Sequence, residues 1–68
     1  MDFDEIVIKY NGKKIKITCD NNQEIIGIMN GYENEFDSER GEPVIFVDAT
    51  ECGYEILLGE IKKIEKID

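Results

Sequence analysis

Ile15-Lys16-Ile17-Thr18-Cys19, Asp20-Asn21-Asn22-Gln23 and Glu24-Ile25-Ile26-Gly27-Ile28-Met29-Asn30-Gly31-Tyr32-Glu33 form the stretch that decides the fold. In the first block apolar Ile15, Ile17 and Cys19 alternate with Lys14, Lys16 and Thr18, the period-2 pattern of a half-buried strand. The second is a polar turn whose Asn residues tolerate a left-handed backbone. The third is a long strand, Ile25–Tyr32, with apolar residues on both faces. Such a strand can bury both faces if it bends sharply and serves two sheets, and Gly27 and Gly31 are where the bends are expected.

Working outward, residues 2–12 admit two readings. Phe3, Ile6, Val7 and Tyr10 lie at helical spacing, with Asp2 or Asp4 available as a cap and Gly12 as a stop. The alternative is a strand through Ile6, Ile8 and Tyr10 that turns at Asn11-Gly12, a strong hairpin signal. The helix is the favoured reading. On the other side, Glu33–Glu42 reads as an acidic loop. Pro43 then opens a strand, Val44–Val47, whose two apolar faces mark it as central. Thr50–Gly53 is a turn and Tyr54–Leu58 a fourth strand. After a break at Gly59-Glu60, Ile61–Ile67 fits either a helix continuing the Leu57, Ile61, Ile64, Ile67 spacing or a strand. Gly59 inside the helical pattern and three isoleucines in seven residues favour the strand.

At 68 residues the chain is read as one domain, residues 1–68, with a thin stability margin. Sixteen acidic residues against eight basic ones give a net charge of −8. Ten of the carboxylates fall in residues 35–68, against four cations there. That balance disfavours phosphate backbones and anionic membranes. No apolar run approaches the roughly 20 residues of a membrane span, and the N-terminus has no basic, signal-like start. A cytoplasmic protein with reduced thiols is expected. With no His and only Cys19 and Cys52, no zinc site, no other cofactor and no nucleophile–base pair is expected. Cys19 reads as a small core residue and Cys52 as an incidental thiol in a turn.

The element order of a short helix and five strands, the second long and bent, resembles the Sm-like family and, more broadly, SH3-like small barrels. The likeness runs through particular residues. Ile15 and Ile17 fill the alternating apolar positions of the family's first signature. Gly27 stands at its strand glycine, Met29 at the following apolar position, and Tyr32-Glu33 at its aromatic–acid pair. Asn22 stands where a turn glycine is usual, and Asp37 where the family has Asn. The second signature, an apolar residue then Arg-Gly, is met only as Leu57-Leu58-Gly59. The resemblance implies a mainly β fold: a small five-stranded SH3-like/Sm-like barrel with a short N-terminal helix. It also implies a ring in which the fourth strand of one subunit pairs with the fifth of the next.

In that family the Asn, the aromatic and the Arg hold a nucleic-acid base. Ionised Asp37 offers only acceptors to a base edge, and Leu58 cannot contact phosphate, so the pocket is expected to be altered or lost. A non-enzymatic interaction module follows, binding a protein partner or itself. An RNA-binding protein with a changed pocket is the alternative. Tyr32, Phe36, Asp37, Lys14 and Lys16 are the candidate RNA or partner surface: Phe36 as the aromatic best placed for exposure, the lysines as the basic patch. Glu33, Glu35, Asp37 and Glu39 alternate, so in extended conformation they would share one side. A weak hard-cation site is conceivable there, but the spacing lacks a calcium-loop pattern, and a solvated acidic loop is the expected reading.

Overall fold

A computed structural model of the chain describes residues 2–67. The first element is helix α1, Phe3–Tyr10. The Asp2 side chain accepts a hydrogen bond from the Asp4 N–H at 3.0 Å, and Asp4 and Glu5 place negative charge at the positive helix end. Gly12 ends it with φ +83°, a conformation that is inexpensive only for glycine. Ile6 is buried, while Phe3, Val7 and Tyr10 pack against the core. The helix therefore forms on the stripe read from sequence, and Asn11-Gly12 is its exit rather than a hairpin turn.

The remaining elements are strands β1 (Lys14–Cys19), β2 (Glu24–Glu33), β3 (Val44–Asp48), β4 (Gly53–Leu57) and β5 (Ile61–Lys66), with a 3₁₀ turn at Leu58–Glu60. They form one antiparallel sheet in the order β4-β3-β2-β1-β5. The turn between β1 and β2 uses Asn22 at φ +69°. The first half of β2 pairs with β1, from Thr18↔Glu24 to Lys14↔Ile28. Its second half pairs with β3, from Ile28↔Asp48 to Glu33↔Val44. One strand thus serves two partners and changes over near Ile28.

Two features allow the changeover. At Gly27 the β3 backbone comes so close that a Cβ would lie 2.6 Å from the Asp48 carbonyl oxygen. Between Met29 and Gly31 the β2–β3 register slips by one residue, the geometry of a β-bulge, which bends the strand. Ile15, Ile17, Met29 and Ile45 are fully buried, with Val47 at 1% exposure, and Cys19, Ile25, Ile56 and Ile61 complete the core with Ile6. β3 is an interior strand between β4 and β2, and Val44, Ile45 and Val47 on it are all buried, though the middle of the sheet is β2.

The expectation for β2 needs a correction. Its outer face is not buried, because Ile26 and Ile28 are each 49% exposed. Alternation along β2 shows that both faces are apolar, but the rest of the chain covers only the side carrying Ile25 and Met29. β4 and β5 are the two edges of the sheet. The 3₁₀ turn joins them in sequence, and no ladder pairs them among the described residues. No helix among those residues is long and apolar enough to cross a membrane.

Candidate functional site

The acidic loop is a set of local turns rather than an extended ribbon. The Asn34 Oδ1 accepts from the N–H groups of both Phe36 and Asp37 at 2.9 Å, and the Ser38 N–H donates to the Asn34 carbonyl at 3.0 Å. Ser38 is buried, and its Oγ accepts from the Arg40 N–H at 3.1 Å. These side chain-to-backbone bonds replace the ladder that an extended segment would need. The alternating carboxylates therefore do not share one side as an extended chain would place them. No group of acidic, Cys or His side chains among the described residues is arranged to hold a metal ion.

The same turns project Phe36 into solvent at 87% exposure, flanked by exposed Glu35 and Asp37. Tyr32 is 46% exposed and packs edge-on against Phe3, with ring centroids 5.9 Å apart. Leu58 lies elsewhere, in a cleft with Glu42, Pro43, Gly59 and Ile61 that neither Phe36 nor Asp37 lines. The Glu42 carboxylate closes one side of that cleft by accepting the Gly59 N–H at 3.0 Å. A carboxylate therefore caps the turn where the Sm-like pattern would carry Arg-Gly.

The two lysines differ. Lys16 Nζ lies 3.4 Å from Glu24 and 3.7 Å from Glu65, so its charge is shared between neighbours on β2 and β5. Lys14 is exposed and stands opposite Ile28 on the outer face. The structure thus divides the five candidate residues between two regions: Tyr32, Phe36 and Asp37 at the end of β2 and the loop after it, and Lys14 and Lys16 on the outer face of β1.

Sequence reasoning missed the two sheet edges as a feature with a sign. The Ala49 N–H→Cys52 C=O and Leu58 N–H→Pro43 C=O bonds fix which β4 residues bond to β3. Given the β3–β4 register, Tyr54 and Ile56 face β3, and the backbone groups of Gly53 and Glu55 point to the open edge. On β5, the Ile67 N–H→Lys14 C=O bond sets the phase in the same way, so the backbone of Ile64 points outward. Its carbonyl meets the Tyr10 hydroxyl at 3.4 Å. The β4 side carries Glu51 and Glu55, the latter paired with Arg40 at 3.4 Å, whereas β5 carries Lys62, Lys63 and Lys66 against a single Glu65. The opposition of the edges depends on the sheet order, which local sequence pattern does not contain.

The cysteines separate as the sequence suggests. Cys19 is 8% exposed, and burial, with the negative charges of Glu60 and Asp20, pushes its thiol up. Cys52 is exposed at the β3–β4 turn. A hydrogen bond with Cys52, followed by that thiolate's charge, pushes the Tyr54 hydroxyl up. A thiol-specific chromogenic disulfide at pH 8 is expected to label one thiol per native chain rapidly, at Cys52, and the second only after denaturant is added. Equal rapid labelling of both in the native protein would place Cys19 outside the core.

Comparison with protein-family models, curated proteins and solved structures returns no match.

Proposed function

We propose that this protein is a non-enzymatic small-barrel interaction module of the Sm-like kind that assembles with copies of itself, β4 of one subunit adding to β5 of the next. The observation that carries the reading is the pair of open edges of opposite charge at the two ends of one sheet. An open edge offers unpaired N–H and C=O groups that template another strand, and on β5 an incoming strand would take the Ile64 carbonyl from the Tyr10 hydroxyl, which holds it at a long 3.4 Å. Two edges of one chain that differ in sign and sequence favour a heterologous contact, which closes into a ring if the rotation permits. The same opposition disfavours β4 against β4 and β5 against β5, because like charges would meet.

A monomer whose edge strands β4 and β5 do not pair with each other leaves the barrel open between them, and a neighbour's strand would complete the wall. Self-association is preferred over RNA binding because Lys16 is engaged by Glu24 and Glu65 and the chain carries −8 overall. The fold and the charge suit a cytoplasmic module that needs no cofactor. Native mass measurement at tens of micromolar is expected to give a discrete oligomer, weakened in high salt as the edge charges are screened. A monomer throughout that concentration range overturns the proposal.

A further inference from the structure

The two open edges are not equally free. On β4, no side chain among the described residues bonds the outward backbone groups of Gly53 or Glu55. The β5 edge, in contrast, runs beside α1. Tyr10, the last residue of that helix, sends its hydroxyl to the Ile64 carbonyl, 54 residues away in the chain, at 3.4 Å. Asp2, Glu5, Ile6, Lys9, Tyr10 and Ile64 line a cleft of about 170 Å³ between the helix and the strand. The Tyr10 ring packs against the core, and Lys9 Nζ lies 5.8 Å from its centroid. The ring is therefore held, and the hydroxyl is the part of it that reaches the edge. Ile64 lies within β5, so a strand laid along that edge has to pass the carbonyl that Tyr10 occupies.

On the footing of the edge pairing proposed for β4 and β5, we infer that Tyr10 is a latch on the β5 edge. In the free subunit its hydroxyl occupies the Ile64 carbonyl, and a second copy's β4 pairs there only by displacing it. Edge strands pair with other chains where their N–H and C=O groups stand free, and a side-chain donor on one of those acceptors lowers the tendency without abolishing it. The bond is long for O–H···O, so it is readily given up. On release the hydroxyl turns to water and an incoming N–H takes its place on the carbonyl. The latch thus sets the concentration at which subunits assemble rather than forbidding assembly. Since the β4 edge carries no such donor, control lies on one side of the contact.

The test compares full-length wild type with Tyr10→Phe, which keeps the ring and removes only the donor, by sedimentation over a dilution series. Tyr10→Phe is expected to assemble at a midpoint concentration about threefold lower, the low end of what one net hydrogen bond is worth. In dilute samples, where both proteins are monomers, its Ile64 carbonyl carbon should move upfield and its thermal midpoint should not rise. Tighter assembly from a subunit no more stable separates a latch from a packing residue, whose loss weakens subunit and assembly together. Adding Glu55→Pro to Tyr10→Phe should return the monomer, which assigns the gain to the β4–β5 contact. The inference is overturned if Tyr10→Phe assembles no more readily than wild type, if the Ile64 carbonyl resonance stays in place, or if the gain survives Glu55→Pro. A wild-type oligomer with an unchanged Tyr10→Phe midpoint removes the latch alone, whereas monomers for both at every concentration remove the self-assembly reading with it.

Discussion

Gly27→Ala is expected to destabilise the native protein by about 3 kcal/mol, the upper part of the usual range for forcing extra volume into a packed site. The added methyl would lie 2.6 Å from the Asp48 carbonyl oxygen, 2.9 Å from its carbon and 2.9 Å from Val47 Cγ1. Two of those three atoms are backbone, so relief requires β3 to retreat from β2 at the place where β2 changes partners. Replacing glycine also restricts the unfolded chain, which stabilises by about 0.4–1 kcal/mol and offsets part of the loss. The steric effect wins because backbone cannot rotate out of the way. A domain of this length has roughly 3–10 kcal/mol of stability in all, so the variant loses about a third or more of it. Gly53→Ala is the control, since a Cβ there meets nothing within 4 Å. Urea titrations should show a large drop for Gly27→Ala and almost none for Gly53→Ala. Equal midpoints for the two would mean that β3 does not lie over Gly27.

Glu55→Pro is expected to abolish assembly while leaving the subunit folded. The Glu55 N–H points to the open edge, so removing it breaks no bond to β3, and proline is tolerated on edge strands. Within the subunit the loss is the Arg40–Glu55 ion pair at 3.4 Å, between groups well exposed to water. Pairs of that kind contribute about 1 kcal/mol or less. To an incoming strand, however, the proline presents a missing donor and a bulky ring in the middle of β4. Sedimentation at tens of micromolar should give the oligomer for wild type and the monomer for Glu55→Pro, with the same far-ultraviolet circular dichroism. Glu55→Gln keeps the N–H and should assemble, with less dependence on salt. An oligomer that survives Glu55→Pro unchanged would place the interface away from β4.

Much of this fold is legible from local pattern. The Phe3-Ile6-Val7-Tyr10 stripe outweighs the Asn11-Gly12 hairpin signal because a cap at Asp2 and a stop at Gly12 agree with it. The final strand is legible because Gly59 interrupts any helix and falls in a 3₁₀ turn. What the sequence hides is set by distant partners. Gly27 reads as a bend, but its close contact with Asp48 exists only once β3 is in place. Lys16 reads as part of a basic patch, but the β1–β5 register brings it Glu65. Asn34 and Ser38 organise the acidic loop through bonds to backbone, which leave no trace in hydrophobic periodicity. The candidate surface is legible in its parts, notably the exposure of Phe36. Its division between the loop and the outer face of β1 is not.

Amide hydrogen exchange at Gly53, Glu55 and Ile64 tests the pairing of the two edges most directly. In an isolated subunit these N–H groups face the open edges, whereas those of Tyr54 and Ile56 bond to β3. Protection of all three at tens of micromolar, lost on dilution and lost at Gly53 and Ile64 in Glu55→Pro, is the predicted result. Rapid exchange at all three at every concentration, with Tyr54 and Ile56 still protected, would contradict it.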